Sequence, residues 1–516
     1  MHNQPKRRQA AEFGFRVTSA HSQHNAAHLH VRSNANRPLR VMKFGGTSVG
    51  DAERIEKAAE IIEAAARHSD VVVVVSAMSG VTNKLLEAAA ESEAGNSESV
   101  DLILRELRAR HEQVAGVLIR ATVERQFVSR QMRELFRQSE TLCQEAIAEH
   151  RLTPQMRDSI ASLGECLSAP LVASALTERG LTSEAIVATE LIVTDANHGA
   201  ADPSMDATRE RCRARLRPLL QRGVVPVVTG FLGATSEGLL TTLGRGGSDY
   251  SATILGAALD ADEVIIWTDV DGVLTADPRL VPQACTIPEI SYREAADLAH
   301  FGAKVLHPKT LRPVMQSNIP VWIRNSFTPE HAGTAITSTG VASRGGEVKA
   351  VTAISKARMI TLGGAGTAGV RDALGRAEAA VSAVRADTWL TTQSGLRDEI
   401  CIAVSPAFAE RAASALRGEF ASELTQGQLD GVALGASVGI VTLVGQGFHH
   451  LSEIRERSLA ALERAEIEIV AIGEAVSECN LSFVVTPTDV NETLIVLHEE
   501  FRLGQLDSQA LPVKVL

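Results

Sequence analysis

The first 325 residues alternate short apolar segments with helical segments, and this alternation restricts the fold more than any other feature. Residues 71–75 form an uninterrupted run of valines, which is typical of a strand buried on both faces of a parallel sheet. Residues 51–68, just before it, carry apolar residues at helical spacing. Further strands are predicted at Leu39–Phe44, 185–188, 224–229, 264–268 and 321–324. The pattern predicts an α/β fold with a mainly parallel sheet sandwiched by helices.

Glycine- and hydroxyl-rich turns follow several of these predicted strands. They lie at residues 45–48, 76–80, 230 and 268–271. In open parallel sheets, ligands bind at the carboxyl ends of the strands. The sequence therefore predicts one ligand site at that edge.

The turn V-M-K-F-G-G-T-S-V-G at residues 41–50 has the residue types of a phosphate site. Glycines let the backbone approach a ligand closely, and the start of the following helix favours an anion. Lys43 adds a positive charge. Gly-Gly after a strand is also common as a plain tight turn, and the motif is neither a P-loop nor a dinucleotide fingerprint. The residue types favour the phosphate site of a small-molecule kinase. A plain tight turn stays an open alternative.

A second motif, T-T-L-G-R-G-G-S-D-Y-S-A, spans residues 241–252. Arg245 lies among glycines, where its guanidinium could bind a carboxylate through two hydrogen bonds. Ser248 and Asp249 then open a helix. Both are good helix caps, so a capped helix after a flexible loop is the alternative interpretation.

Three further segments carry candidate site residues. Glu165 stands among apolar neighbours in S-L-G-E-C-L-S, which leaves surface exposure and partial burial with a partner both open. The motif W-T-D-V-D-G-V-L-T-A-D-P-R at residues 267–279 is either an ordinary turn cluster or the nucleotide side of the site, with Arg279 near the phosphates. F-G-A-K-V-L-H-P at residues 301–308 places Lys304 beside a glycine at the start of a helical turn.

The C-terminal third of the chain differs in organisation. Residues 326–350 are rich in Thr, Ser, Gly and Pro and are predicted to form a linker. A weak repeat follows, with the order strand, helix, strand, strand, helix at 358–421 and again at 439–502. The repeat predicts two small α+β sandwiches.

Composition and charge exclude several classes of protein. The net charge is −11, and residues 1–38 carry six Lys and Arg against one acidic residue, so the remaining body is strongly acidic and a poor nucleic-acid binder. No apolar run of about 18 residues is evident, so no membrane span is expected. Six scattered cysteines indicate reduced thiols in a cytoplasmic setting. The basic tail is predicted to be disordered, and a plastid transit peptide is the less favoured alternative.

Together these motifs resemble the aspartate kinases of the amino-acid kinase superfamily. The motifs are K-F-G-G-T-S-V, S-A-M-S-G-V-T-N, T-T-L-G-R-G-G-S-D-Y-S-A, W-T-D-V-D-G-V and F-G-A-K-V-L-H-P. The C-terminal repeat resembles the paired ferredoxin-like ACT regulatory domains of that family. The resemblance implies a tail at 1–38, a catalytic domain at 39–340, a first ACT domain at 353–436 that residues 509–516 could complete, and a second at 437–508.

The resemblance implies phosphoryl transfer from MgATP to the β-carboxylate of L-aspartate, the first step toward lysine, threonine and methionine. It assigns catalytic roles to Lys43, Asp249 and Lys304. It assigns ATP binding to Lys43, Phe44, Gly45, Gly46, Thr268, Asp269, Leu274, Arg279 and Lys304. It assigns aspartate binding to Thr82, Glu165, Arg245, Gly246, Gly247 and Ser248. Magnesium would be carried by the ATP phosphates and not by protein ligands.

Two departures from the family pattern affect the nucleotide and the regulation. Leu274 stands where the family usually carries a tyrosine, and the first ACT turn, G-G-A-G-T-A-G-V-R-D, lacks the usual bulky apolar residues. The effector, lysine or threonine or both, therefore stays open. A homodimer is expected from the family. The rival interpretations are a glutamate or N-acetylglutamate kinase, a non-catalytic amino-acid sensor, and a kinase–dehydrogenase, which the length and the missing G-x-G-x-x-G unit disfavour.

Overall fold

The computed structural model describes residues 37–303, 306–340, 348–363, 372–394, 399–446, 451–474 and 479–505. The described chain divides into two compact units. The first comprises residues 37–272 and Lys309–Ser338, and the second comprises Val273–Pro308 and 339–505. The basic tail, apart from its last two residues, lies outside the described residues.

Strands and helices alternate through the first unit. They are β1 (Leu39–Phe44), α1 (Ala52–Ala66), β2 (Asp70–Val75), α2 (Val81–Ala94), α3 (Ser97–Leu118), α4 (Thr122–Glu149), α5 (Pro154–Glu178), β3 (Ser183–Ile186), β4 (Val193–Thr194), α6 (Met205–Gln221), β5 (Val225–Thr229), β6 (Leu232–Thr235), β7 (Leu240–Thr242), α7 (Gly247–Leu259) and β8 (Glu263–Thr268). The second unit then contributes β9 (Glu289–Ser291) and α8 (Tyr292–His300). The first unit ends with α9 (Pro308–Ser317), β10 (Val321–Asn325) and β11 (Thr334–Thr337).

The main sheet of the first unit is mostly parallel. Its strands are hydrogen-bonded in the order β3-β5-β2-β1-β8-β10-β11, and among these only β10 and β11 pair antiparallel. The central strand β2 is buried along residues 71–75, as its valine run predicts. The predicted mainly parallel sheet flanked by helices is confirmed. The carboxyl ends of its parallel strands therefore meet at one edge.

A small second sheet supports that edge. Strands β4, β6 and β7 pair in that order, and each has no more than four residues. The sequence pattern did not predict them, because two to four residues are too few to show a strand period. Strand β7 ends directly before the turn that carries Arg245.

Helix α5 is buried along almost its whole length. It is the one helix of the described residues whose length and mean hydropathy would allow it to cross a membrane, and 94% of its apolar window is buried inside the protein. The sequence suggested no such segment, because Ser, Gly and Glu interrupt the apolar residues. The core helix of a globular domain has these same properties. Burial on all sides explains why α5 can deliver a carboxylate, Glu165, into the protein interior.

The second unit contains a six-stranded antiparallel sheet. Its elements are β12 (Val348–Gly363), α10 (Ala373–Ala383), β13 (Thr388–Ser394), β14 (Glu399–Val404), α11 (Ala409–Glu419), α12 (Ala421–Thr425), β15 (Gly431–Gly445), α13 (Leu451–Arg464), β16 (Ile469–Glu474), β17 (Asn480–Val485) and α14 (Val490–Glu500). The strand order is β13-β14-β12-β15-β17-β16. The repeated strand–helix–strand–strand–helix order is confirmed.

Two strands of this sheet are longer than the repeat predicted. β12 and β15 pair with each other from Val348 to Gly363, with register shifts, and so run through both copies of the repeat. The predicted linker is also partly strand, since it contains β11 and the start of β12. The pattern missed these extensions because bulges interrupt the alternation of apolar residues.

The segment Val273–Pro308 packs with the antiparallel sheet. Ala276 and Val281 lie in the same buried cluster as Val351, Leu443 and Phe483. The predicted domain limits assign this segment to the catalytic domain, and those limits stay a prediction. In three dimensions the segment belongs to the second compact unit.

Candidate active site

Neighbouring turns at the carboxyl edge of the parallel sheet are joined by backbone hydrogen bonds. The donors and acceptors are Gly230 N–H to Val75 C=O (2.8 Å), Ser79 N–H to Gly46 C=O (3.0 Å), Gly45 N–H to Trp267 C=O (3.0 Å) and Ser326 N–H to Thr268 C=O (2.9 Å). The turns after β5, β2, β1, β8 and β10 thus form one continuous rim. Residues far apart in sequence are brought together there.

Lys43 lies at the end of β1 and is buried. Its Nζ is 2.5 Å from Oδ1 of Asp249, in the first turn of α7. The contact is an ion pair without hydrogen-bond alignment, since Oδ1 has no aligned donor among the described residues. Asp249 is not the N-cap of α7, because the N-cap is Gly246 and Asp249 lies inside the first turn. Asp249 instead holds the Lys43 ammonium.

Of the two glycines after Lys43, close packing requires Gly46, and Gly45 lies next to the Lys43 ammonium. A Cβ on Gly46 would lie 2.8 Å from the carbonyl oxygen of Ala77, a distance that real Cβ atoms do not adopt. A Cβ on Gly45 would lie 3.4 Å from Lys43 Nζ and 3.5 Å from the carbonyl oxygen of Trp267. Without side chains, the turn can lie against its neighbours and leave the Lys43 ammonium uncovered by a Cβ.

Glu165 lies inside the protein, with 3% of its surface exposed. Its carboxylate lies beside the Ala77 backbone, and Gly164 allows this approach because a Cβ there would lie 2.5 Å from Ala77 Cβ. Burial raises the pKa of Glu165 to about 8, although the neighbouring Ala77 backbone and the nearby Lys43 charge oppose the rise. Oε2 has no hydrogen-bond partner among the described residues. Of the two open interpretations, surface exposure is wrong, and the burial is deeper than the alternative predicted, because it is nearly complete and leaves one carboxylate oxygen without a described partner.

Arg245 is exposed in the turn between β7 and α7 and forms no ion pair with any residue that the structure describes. Gly244 (φ +80°) and Gly246 (φ +70°) flank it in the left-handed region, where glycine is favoured. Ser248 packs so tightly on Gly230 that a Cβ on the glycine would lie 2.6 Å from Ser248 Cβ. The guanidinium therefore projects from a well-anchored turn and is available for an anion.

Thr82 and Phe44 occupy different kinds of position. Thr82 is half-buried in the first turn of α2, next to Val81, which packs near Gly164. Phe44 is fully buried and stacks on Trp267, with ring centroids 6.1 Å apart. Only the backbone of Phe44 is therefore at the turn, while Thr82 lies at the start of the helix whose first residue packs on α5.

The predicted nucleotide residues are divided between the two units. Thr268 and Asp269 end β8 in the first unit, where the Thr268 hydroxyl donates to the Asp269 carboxylate (3.2 Å). Leu274 and Arg279 belong to the second unit, where Leu274 bridges to Thr286 and Arg279 pairs with the Asp277 carboxylate. Lys304 lies outside the described residues. The nucleotide roles of these residues stay predictions.

The family can now be stated from comparison with known proteins. The amino acid kinase family model matches residues 38–325, and an ACT domain model matches residues 441–501. The chain belongs to the amino acid kinase family.

Its relatives in that family are aspartokinases. A bifunctional aspartokinase/homoserine dehydrogenase of Haemophilus influenzae is 33% identical over 470 residues, which cover 89% of this chain and 56% of that protein. The lysine-sensitive aspartokinase 3 of Escherichia coli is 39% identical over 297 residues, which cover 57% of this chain and 63% of that protein. The chain spans about half the length of the bifunctional relatives that it matches.

Solved structures agree with this assignment. The crystal structure of E. coli aspartokinase III in complex with aspartate and ADP matches with a TM-score of 0.75 and 28% identity, covering 90% of this chain and 99% of that chain. The same enzyme in complex with lysine and aspartate matches with a TM-score of 0.70 over the same shares. The resemblance inferred from the motifs, to aspartate kinases with a C-terminal ACT region, is confirmed.

One site feature of this kinase-family chain could not be inferred from its sequence. Phe231 adopts a left-handed backbone with φ of +69°, which is strained for a bulky residue. Its N–H donates to the Ser251 hydroxyl (2.9 Å), and its ring fills the space where a Cβ on Gly247 would lie. The preceding Gly230 marks a turn, but nothing in the sequence predicts that the phenylalanine takes the strained conformation.

Asp158 is a second residue that the sequence did not single out. It is buried on α5, two helical turns before Glu165. Its carboxylate accepts hydrogen bonds from His198 Nδ1 (2.8 Å), the Gly199 N–H (3.1 Å), and the N–H (3.2 Å) and hydroxyl (2.7 Å) of Thr242. The carboxylate thereby ties the end of β7, just before the Arg245 turn, to the core helix.

The protein side chains alone offer no metal cage in the part of the chain that the structure describes. No three residues of the types His, Cys, Asp and Glu lie together there in an arrangement that could hold an ion. A hard cation such as Mg²⁺ prefers oxygen ligands and is commonly bound through substrate phosphates together with one or two carboxylates. The residues present fit that mode.

Proposed function

We propose that this chain is an aspartate kinase. It transfers the γ-phosphoryl group of ATP to the β-carboxylate of L-aspartate and releases ADP and 4-phospho-L-aspartate. The observation that carries the proposal is the buried Lys43–Asp249 ion pair with the unpartnered Glu165 oxygen beside Lys43, at the carboxyl edge of the sheet. The aspartokinase relatives, and a solved neighbour that holds aspartate and ADP, support the same activity.

The amino acid would be recognised by charge at both ends of its backbone. Arg245 has no ion pair among the described residues, and it would bind the α-carboxylate through two parallel hydrogen bonds. Glu165 would bind the α-ammonium, and this contact would favour its ionised form. The remaining aspartate contacts would come from Thr82, Gly246, Gly247 and Ser248.

The phosphates would be held on the other side of the rim. Lys43 would stabilise the charge on the transferring group, and Asp249 would orient its ammonium. The remaining phosphate and nucleotide contacts would be Phe44, through its backbone, with Gly45, Gly46, Thr268, Asp269, Leu274, Arg279 and Lys304. The substrate carboxylate is itself the nucleophile, so the enzyme needs only to position and neutralise the reactants.

Mg²⁺ would be held by the nucleotide phosphates, and a carboxylate of the rim such as Asp249 or Asp269 would add an oxygen ligand. When bound, it neutralises phosphate charge. The protein residues would still perform the orientation: Asp249 fixes Lys43, and the glycine turn admits the phosphates.

The regulatory proposal is that the antiparallel unit binds an amino-acid effector. The ACT match and the lysine-bound aspartokinase III support an end product such as lysine, with threonine as the alternative. We further propose a cytoplasmic homodimer that feeds the synthesis of lysine, threonine and methionine.

Trapping of the acyl phosphate tests the activity directly. The chain is incubated with MgATP, hydroxylamine and either L-aspartate, L-glutamate or N-acetyl-L-glutamate, and hydroxamate is measured. Hydroxamate is expected in the reaction with L-aspartate and not in the reactions with L-glutamate or N-acetyl-L-glutamate. Turnover with either glutamate compound and none with aspartate would contradict the proposal. Lysine and threonine, added separately, would identify the effector by the loss of signal.

A further inference from the structure

Arg110, on helix α3, joins two turns of the rim through its guanidinium. One terminal nitrogen, Nη1, donates to the carbonyl of Ser79, and the other, Nη2, donates to the carbonyl of Gly50, each at 2.8 Å. Ser79 belongs to the turn after β2, and Gly50 ends the turn after β1. The planar fork of a guanidinium can reach two acceptors at a fixed separation, which a lysine ammonium cannot reproduce.

The two carbonyls belong to the two halves of the candidate site. The turn after β1 contains Gly45 and Gly46 and follows Lys43. The turn after β2 contains Ala77, which packs against Gly164 next to Glu165 on α5. The backbones of the two turns are joined near the strand ends by the Ser76 N–H to Phe44 carbonyl bond (3.1 Å), the Ser79 N–H to Gly46 carbonyl bond (3.0 Å) and the close approach of Gly46 to Ala77. Arg110 adds a side-chain bridge farther from the strands, at Gly50 and Ser79.

The described contacts of Arg110 hold backbone positions and do not neutralise a charge. It is half-buried and makes no ion pair with any residue that the structure describes, so its charge is not part of a stabilising salt bridge. Its hydrogen bonds go to backbone carbonyls, which every residue type offers. The sequence pattern therefore could not identify Arg110 as a site residue.

We infer that Arg110 is a positioning residue. It sets the distance between the turn after β1, which would hold the phosphates, and the turn after β2, which lies next to Glu165. This inference rests on the proposed function. If the two reactants are held on separate turns, loss of the bridge leaves each binding half intact and disturbs their alignment. Misplacement by about 1 Å can cost roughly 100-fold in rate, so the loss appears in kcat.

Kinetics of three variants test the inference. Arg110→Ala is expected to lower kcat about 10- to 100-fold, with KM for aspartate and for ATP within about threefold of wild type. Arg110→Lys is expected to resemble the alanine variant, because an ammonium reaches one carbonyl at a time. Arg105→Ala is the matched control: Arg105 lies on the same helix and donates to the Asp101 carbonyl on that helix. Its kcat is expected to stay at the wild-type value.

Backbone hydrogen exchange separates failure of this inference from failure of the proposed function. Arg110→Ala should speed exchange at the amides of residues 46–50 and 76–80, and Arg105→Ala should not. If wild type makes no aspartyl phosphate, the proposed function fails while the exchange result still decides whether Arg110 couples the turns. Unchanged kcat and exchange in Arg110→Ala, a loss confined to KM, or full recovery in Arg110→Lys would each overturn the inference.

Discussion

Each compact unit contains a buried pair of a lysine and a carboxylate, and the two pairs differ in what surrounds them. In the antiparallel unit, Lys349 and Glu294 have side chains that are 3% and 1% exposed, and Lys349 Nζ lies 3.0 Å from both carboxylate oxygens. In the parallel unit, Lys43 and Asp249 have side chains that are 9% and 16% exposed.

The residues around each ion pair indicate whether its role is structural or functional. Glu294 also accepts a hydrogen bond from the Ser291 N–H (2.6 Å) and completes a capping box at the start of α8. Lys43 instead lies near Glu165, which has a raised pKa and a carboxylate oxygen without a described partner. A pair enclosed by its own unit holds structure together. A pair beside an unsatisfied carboxylate at the strand ends is prepared for a charged ligand.

Lys43→Ala should give the largest change in rate. Removing the ammonium takes away charge stabilisation of the transferring phosphoryl group, so kcat should fall by at least about 10³-fold. The fold should be retained, and the thermal midpoint and circular dichroism measure this. Near-normal turnover in a folded Lys43→Ala variant would show that the Lys43–Asp249 pair is not part of the catalytic site.

Lys349→Ala should have the opposite outcome. Leaving Glu294 buried without its partner is expected to cost about 3–5 kcal/mol of unfolding free energy. Urea unfolding measures the loss, while kcat of the folded enzyme should stay near wild type. The double variant Lys349→Met with Glu294→Leu should recover most of the stability, because no lone charge stays buried. A loss below about 1 kcal/mol in the single variant would show that the enclosed pair is not structural.

Arg245→Ala should mainly weaken aspartate binding. Hydrogen bonds to charged groups contribute about 1.5–3 kcal/mol each, so KM for aspartate should rise roughly 10- to 100-fold. The kcat value and KM for ATP should change little, since the guanidinium would bind the non-reacting end of the substrate. Steady-state kinetics with each substrate varied in turn measures this. An unchanged KM for aspartate would contradict the assignment.

The pH dependence of aspartate use should report on Glu165. With a pKa of about 8, the carboxyl of the free enzyme is largely protonated at neutral pH and attracts the α-ammonium weakly. The value of kcat/KM for aspartate should therefore fall by up to about tenfold per pH unit as pH drops below 8. Glu165→Gln should give a low, flat profile over the same range.

The pH dependence of protein stability provides an independent test of the pKa of Glu165. Because the folded pKa of Glu165 lies above its ordinary value of 4.5, its contribution to stability is present at low pH and is lost as pH rises from 4.5 through 8. Glu165→Gln should thus raise the thermal midpoint more at pH 9 than at pH 5. Equal shifts at both values would show that the carboxyl does not titrate as proposed.

Much of the first unit could be predicted from local pattern. The strand at Leu39–Phe44 is found at the predicted limits, and the helix that follows begins at Ala52, with Asp51 as its cap. The valine run at residues 71–75 lies within β2, which is buried along those residues. Periodicity and capping depend on residues close in sequence, so these predictions needed no tertiary information.

The site was predicted only in part. The motifs identified Lys43, Arg245 and Asp249, and the resemblance implied that Asp249 orients Lys43, yet the depth at which Glu165 is buried became visible only in the fold. Arg110 carries no local signal, because its partners are two carbonyls.

The sequence alone determined the main strands of the parallel sheet, the turns that contain glycine and the family that the chain resembles, because these properties follow from short-range pattern. The tertiary structure decided which charges share a site and which are enclosed, because those depend on which strand ends meet at one edge. It also decided that residues 273–308, which carry predicted nucleotide contacts, pack into the antiparallel unit. That choice depends on complementary apolar surfaces such as those of Ala276 and Val281, which the sequence shows only as apolar residues.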